Sequence, residues 1–342
     1  MKISFIENSE TGGLEHKLSS GSHPENGSRL KVILEWLRSE VQPEDILKAK
    51  SARKEEVLAI HEEELFRLVE KTEKVGAIYF SPDNRSNKFT YEASITAAGA
   101  AVTAVEKATP SHHYFVLVRP PGHHATSLKA QGFCYFNNIA IGVKYLLSTG
   151  KAKKVAIYDF DNHFGNGTYA VFENEPKVLY ISSHAHPSYC YPGTGYIDQI
   201  GRGEAEGTKI NLPLMPSMGD QDLLKVVDEV VLPALEAFKP DLLAISAGFD
   251  AYKRDPIGML GFSEGGFMEV GTRLLNFVKN KKIPLVHMLE GGYNVSKLPD
   301  LLKAYLSPYK ESWTAPPADQ NKVSKSTTEV AKFQKRLINE YL

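Results

Sequence analysis

Cysteine is nearly absent: Cys134 and Cys190 are the two in 342 residues. That is too few for a disulfide framework and points to a reduced, cytoplasmic protein. Excess charge of either sign is also missing, with 40 basic side chains against 41 acidic ones and a formal net charge of −1. Without a basic field, neither nucleic acid nor an anionic membrane is a natural partner. No apolar run reaches membrane-spanning length, and the apolar stretch in the opening MKISFIENSETGG is far too short for a secretory signal. Internal repeats and composition breaks are lacking too, which leaves one large domain over residues 1–310. Residues 311–342 read as a Pro-rich linker followed by an amphipathic terminal helix in STTEVAKFQKRLINEYL.

What is present is alternation. Short β-branched runs (KISFIE, FVLVR, KVAIYDF, KVLYISS, TKINLPL, DLLAISAGF, PLVHMLEGGY) are interleaved with stretches apolar at helical spacing, among them SRLKVILEWLRSEV and LLKVVDEVVLPALEAF. A third, EASITAAGAAVTAVEKA, is rich in Ala and Gly, as suits a helix packed closely on a sheet. Strands apolar throughout and separated by helices indicate an α/β protein whose parallel sheet is covered on both faces. In such sheets the working residues collect where strands end.

Five strand ends in succession carry unusual chemistry: PPGHHA, DFDNHFGNGT, SSHAHPSYCYPGTG, FDAYKRDPIG and EGGY. In an extended segment alternate residues face the same way, so Asp159, Asp161 and His163 share a side while Phe160 and Asn162 point away. A carboxylate and an imidazole two residues apart can grip one metal ion, and Asp250, ending another strand, supplies a third ligand. Three protein ligands with a fourth position free describe a catalytic zinc. Two aspartates nearly cancel the dication's charge, so bound water is less acidified than in an all-histidine site and a separate base is needed. The pair His123 and His124 in PPGHHA can supply it, one histidine moving the proton and the other, backed by a carboxylate, fixing local charge. Tyr293 is a hydroxyl donor suited to a polarised carbonyl, beside Gly291 and Gly292, which let backbone approach a ligand closely. The second pair, His112 and His113, precedes its strand at the opposite end and reads as surface turn residues without a chemical role; His16 and His287 likewise read as structural.

The ordered set HPENGSRL, RPPGHHA, GFCYFNN, DFDNHFGNGT, SSH, PGTG, SAGFDAYKRDP and LEGGY resembles the histone deacetylase superfamily over roughly residues 2–300. It is most similar to the class II branch and to the bacterial deacetylase and acetylpolyamine amidohydrolase relatives. The resemblance implies the arginase/deacetylase fold, a central eight-stranded parallel sheet flanked by helices. It implies Zn²⁺ on Asp161, His163 and Asp250, with His124 as general base and acid. His123 would be its electrostatic partner, hydrogen-bonded to Asp159, and Asn166 the polar partner of the second histidine. Tyr293 would stabilise the tetrahedral intermediate. Phe133 and Tyr191 would wall an acyl-lysine tunnel lined by Gly132 and Gly292, and Asp83 would hold substrate backbone. A monovalent cation, K⁺, would sit on Asp159, Asp161, His163 and Ser182, largely through backbone oxygens.

Three positions depart from that pattern. Asn162 and Phe164 stand where the family has an apolar residue and a second histidine, which leaves the ligands intact and alters the packing beneath them. Tyr191 puts a hydroxyl on a tunnel wall where many relatives have phenylalanine. Ile257, in DPIG, is apolar where a polyamine-selective site would place an acid. The expected function is therefore zinc-dependent removal of an acyl group from acetyl-lysine in a protein or peptide. The alternative is an acetylpolyamine amidohydrolase acting on a small amine. A non-catalytic acyl-lysine binder would show a lost ligand or a lost Tyr293, and a binuclear manganese ureohydrolase would need further bridging ligands where this chain has His123, His124 and Phe164. Arg29 reads as an internal ion-pair or exit-channel residue and Cys134 as a small buried hydrophobe.

Overall fold

The computed structural model describes residues 1–18 and 22–342. Its strands, in chain order, are β1 (Lys2–Glu7), β2 (Ile46–Lys48), β3 (Tyr79–Ser81), β4 (Asn84–Arg85), β5 (His112–Leu117), β6 (Val155–Asp159), β7 (Val178–Ala185), β8 (Lys209–Leu214), β9 (Leu242–Ala247) and β10 (Leu285–Leu289). Among the described residues eight of these form one sheet in the order β2-β1-β5-β10-β9-β6-β7-β8, and β3 with β4 makes a separate small hairpin. Every pairing in the large sheet is parallel.

The strands are apolar throughout because both faces are covered. Phe5, Phe115, Ala156, Tyr158 and Leu179 face a layer that includes the helices Gly27–Glu40, Glu264–Lys281 and Leu298–Leu306. Their neighbours Ile6, Val116, Val155, Ile157 and Val178 face the helices Thr90–Lys107 and Asn138–Ser148. Each Val, Ile, Leu or Phe side chain taken fully out of water contributes about 1.5–3 kcal/mol. The Ala/Gly-rich stretch is the helix Thr90–Lys107, and its small residues do allow close packing: a Cβ on Gly99 would lie 1.9 Å from the Lys50 carbonyl oxygen.

Two readings change. The sequence pattern shows seven strands, and the eighth is β2, three residues at the sheet edge, too short to display any alternation. His112 and His113 open β5 and do not precede it. His113 is wholly buried, its Nδ1 2.6 Å from the Tyr309 hydroxyl while its Nε2 has no hydrogen-bond partner among the described residues, so the ring lies inside the fold with one nitrogen paired. His16 and His287 are also buried, with Nδ1 atoms at the Thr90 and Tyr305 hydroxyls and Nε2 atoms unpaired among the described residues.

The terminal helix, Lys325–Tyr341, is capped by Ser324, whose side chain accepts from Thr327 N. It docks beside edge strand β8, where Gln334 Nε2 donates to Asn211 O at 2.9 Å. This order places the C-terminal ends of β5, β10, β9, β6 and β7 side by side at the centre of the sheet. The segments PPGHH, EGGY, FD and FDNH leave from those ends, and SSH forms the last part of β7 itself.

Candidate active site

The carboxylates and imidazole of Asp161, His163 and Asp250 converge. Among the described residues they form the one group of three or more such side chains whose candidate ligand atoms all lie within 4.8 Å of one another. His163 Nδ1 is 3.1 Å from Asp161 Oδ1 and 3.0 Å from Asp250 Oδ2. The remaining oxygens are held by backbone: Asp161 Oδ2 accepts from Gly291 N and Asp250 Oδ1 from Asn162 N, both at 2.8 Å. Glycine is required at two points here for space. A Cβ on Gly248 would fall 2.0 Å from Asp161 Oδ2, and one on Gly291 would fall 2.2 Å from Asp250 Oδ2. Burial would raise the Asp161 carboxyl, but His123 and His163 outweigh it and hold it down; burial and then the Asp161 charge push Asp250 up to about 7. Two buried carboxylates facing one imidazole nitrogen are the donor set a dication relieves.

The histidine pair lies directly beside this group. His123 Nδ1 is 3.0 Å from Asp159 Oδ2, which also accepts from the Tyr180 hydroxyl at 3.0 Å. Burial opposes a charge on His123, yet the carboxylates of Asp161 and Asp159 overcome it and raise the ring to about 10. His124 goes the other way: burial, then the neighbouring His123 and His163, hold it well below its ordinary value. Its Nδ1 is 2.8 Å from Asn166 Oδ1, so Nδ1 carries the proton and Nε2 keeps a free lone pair. The two rings stand 4.0 Å apart. Gly132, at φ +55°, passes so close that a Cβ there would lie 2.4 Å from His124 Cδ2.

Tyr293 is buried, and burial pushes its hydroxyl well above the ordinary value, with the Arg29 charge opposing. Its ring meets Phe133 edge-on at 5.8 Å, and Arg29 Cζ sits 4.9 Å over its face. Arg29 is an internal ion-pair residue: it reaches Glu25 at 3.3 Å and donates from Nε to Gly292 O at 2.7 Å. Phe133 adopts φ +70°, unusual for a residue with a Cβ. Tyr191 lies 5.0 Å from the His124 ring and is 42% exposed. Asp83 is exposed at the tip between β3 and β4, close enough for its charge to act on Tyr191. Ile257 is half-buried in the loop after β9, Gly292 takes φ +121° beside Tyr293, and Ser182 is buried directly across the β6–β7 ladder from Asp159. Cys134 is wholly buried, and burial raises its thiol well above the ordinary value.

Several supporting residues had no role in the sequence reading. Asn84 fixes Phe133 by accepting from its N–H at 2.7 Å and donating to Cys134 O at 2.9 Å. Glu290 accepts from Gly122 N and His123 N at 2.8 and 3.1 Å, fastening the histidine loop to the end of β10. Asp255 gathers four backbone donors: Tyr293 N at 2.6 Å, Asn294 N at 3.1 Å, Ile257 N at 3.0 Å and Gly258 N at 3.2 Å. The Asp-Pro pair in DPIG was the available sign of that last arrangement, since aspartate before a turn bonds the backbone two residues on. Phe164 is buried against His184 and Tyr169, and so fills core space.

Residues 23–308 match the family described as the histone deacetylase domain. A probable deacetylase of Archaeoglobus fulgidus is 39% identical over 289 residues, covering 82% of this chain and 79% of that one. Histone deacetylase 14, chloroplastic, of Arabidopsis thaliana is 33% identical over 299 residues, covering 81% of this chain and 70% of that one. Among solved structures, the crystal structure of the HDA15 HD domain matches with a TM-score of 0.89 at 31% sequence identity, over 99% of this chain and 95% of that one. The fold is thus the arginase/deacetylase arrangement. Among the described residues no helix is long and apolar enough to cross a membrane.

Proposed function

The chain belongs to the histone deacetylase family, and from that premise we propose that it is a zinc-dependent deacetylase hydrolysing the amide of acetyl-lysine in a protein or peptide. The observation that carries the zinc reading is the convergence of two carboxylates and one imidazole within 4.8 Å, all on backbone-fastened loops. Asp161, His163 and Asp250 would hold the ion. When bound, a zinc ion supplies a Lewis acid for the amide carbonyl and an acidified water. A monovalent cation, K⁺, belongs in this reading below it, near Asp159, Asp161, His163 and Ser182.

The chain's own residues supply the rest. His124, neutral and with Nε2 free, takes a proton from the attacking water and returns it to the departing amine nitrogen. His123, charged beside Asp159, keeps His124 neutral and favours negative charge developing nearby. Tyr293 stays protonated because burial disfavours its anion, and it donates to the oxygen that gains charge as the carbonyl is attacked. Phe133 and Tyr191 flank the acyl-lysine chain, with Gly132 and Gly292 leaving room for it.

The acetylpolyamine alternative uses the same chemistry, and the exposed Asp83 carboxylate near Tyr191 would suit a cationic amine tail as well as a peptide backbone. The test is kcat/KM for an acetyl-lysine peptide and for acetylputrescine, each with and without chelator. The proposal expects chelator-sensitive hydrolysis with the peptide preferred. Preference for acetylputrescine selects the alternative, and chelator-insensitive turnover removes the zinc reading.

A further inference from the structure

Asn162 stands between two of the three proposed ligand residues, and each of its polar atoms has a partner. Its N–H donates to Asp250 Oδ1 at 2.8 Å, and its carbonyl accepts from Ala185 N at 2.8 Å. In the side chain, Oδ1 accepts from Met259 N at 2.8 Å and Leu260 N at 3.2 Å, while Nδ2 donates to Cys190 Sγ at 3.4 Å. The residue is completely buried. One amide therefore joins three segments: the ligand-bearing end of β6, the loop that presents Tyr191, and the loop that presents Ile257.

A buried carboxamide is unfavourable unless both of its ends are paired, and here both are. An aliphatic side chain of similar bulk would fill the same space with none of these bonds. What the amide adds is connection between loops. The Tyr191 loop is anchored at its two ends, by His186 N to Leu214 O at 2.7 Å and by His184 Nε2 to Gly195 O at 2.9 Å. Between them it has short-range bonds of its own, Tyr189 N to His186 O and Gly193 N to Cys190 O, and the Asn162 side chain holds its middle at Cys190. The Ile257 loop is pinned at its start by Asp255, and Asn162 secures it two residues further on.

We propose that Asn162 is a positioning residue that fixes the loop presenting Tyr191 against the loop presenting Ile257 and so sets how large an acyl group is accepted. The proposal rests on the deacetylase reading for its substrate and on the hydrogen bonds alone for the tether. The test compares the zinc-loaded full chain with Asn162→Val and with Cys190→Ala. It reads amide hydrogen exchange over residues 186–193 and 256–261, and kcat and KM for acetyl-lysine and butanoyl-lysine peptides. Because the Cys190 thiol also lies beside His163, zinc content is measured in both variants.

In Asn162→Val both segments should exchange faster, on the order of tenfold. KM for the acetyl peptide should rise about tenfold with kcat within about twofold, and the preference for acetyl over butanoyl should shrink. Zinc content should stay at one per chain. Cys190→Ala should loosen residues 186–193 alone, and it decides the wall half of the tether if Asn162→Val does not fold. Unchanged exchange in both segments, or a fall in kcat with KM and acyl preference intact, overturns the proposal. A wild-type chain that hydrolyses neither peptide defeats the deacetylase reading, while exchange still decides whether the tether exists.

Discussion

Replacing Tyr293 with Phe removes one hydroxyl and keeps the ring that packs on Phe133 and beneath Arg29. The expected result is a kcat lower by about 10²–10³ with KM and bound zinc little changed, checked by steady-state kinetics and metal analysis. Glu25 matters differently. Burial alone would raise its carboxyl, but Arg119 and then Arg29 hold it at about 2, below the ordinary 4.5. A depressed acid stabilises the fold above its unfolded pKa, and that contribution is lost as pH falls from about 4.5 through about 2. Glu25→Gln should remove this acid-dependent step and lower stability at neutral pH by about 3–5 kcal/mol, because the buried Arg119 and Arg29 lose their partner; denaturant titration at several pH values reads both. At this scale the convergence of Asp161 and His163 was legible from their spacing in DFDNH, although β6 ends at Asp159 and both residues lie in the bend after it, not in an extended strand. The roles of Asn162, Asp255 and Asn84 were not. Each residue accepts from backbone N–H groups of a distant segment, and even for Asp255, whose bonds to Ile257 N and Gly258 N the Asp-Pro pair signals, no local spacing reveals the distant partners Tyr293 N and Asn294 N.

The segment Gln131–Cys134 shows how an element sets geometry. Gly132 is left-handed and lies against the His124 ring, and Phe133 is left-handed and secured by Asn84. Gly132→Ala should force His124 aside, because its new Cβ would lie 2.4 Å from His124 Cδ2. A displacement near 1 Å at a proton-transfer group costs on the order of 10²-fold, so kcat/KM should fall about that much while zinc stays bound, read by kinetics beside metal analysis. The resemblance marks Gly132 as a tunnel residue, but its contact with the His124 ring was not legible, because nothing local in QGFCYF says which ring the backbone must pass. Strand β2 escaped notice for a related reason. It exists through pairing with β1, Phe5 against Ile46, and three residues hold too little pattern to announce that. His113 was misplaced because a histidine after a Pro-Ser turn looks solvated until Tyr309, far along the chain, arrives as its partner.

Taken whole, the molecule buries several histidines in their neutral form. His61 uses both nitrogens, with Nδ1 at Thr126 O and Nε2 accepting from Asn137 N. Burial lowers it to about 4, and burial with the Arg119 charge lowers His16 to about 3, against an ordinary 6.5. Depressed histidines stabilise the fold above about 6.5, and the contribution is lost as pH falls through the folded values. Their share of the stability should therefore decline below pH 6.5, approaching about 1.4 kcal/mol per pH unit for each such histidine. The carboxyls of Asp250 and Glu290, raised to about 7 by burial, act in the opposite sense over that range, so the assignment itself is read from imidazole NMR signals: His61 or His16 titrating at the ordinary 6.5 would contradict it. The sheet was legible at this scale because strands covered on both faces are apolar throughout, and five such runs end in functional residues. The order in which β10 and β9 enter between β5 and β6 was not, since it depends on which helix layer each crossover joins.

The most direct test of the central claim is a crystal structure of the zinc-loaded chain with anomalous scattering recorded at the zinc edge. The account predicts one zinc peak per chain, within bonding distance of Asp161, His163 and Asp250 and of no other side chain. Two peaks in that pocket, or a single peak held by a different set of residues, would contradict it.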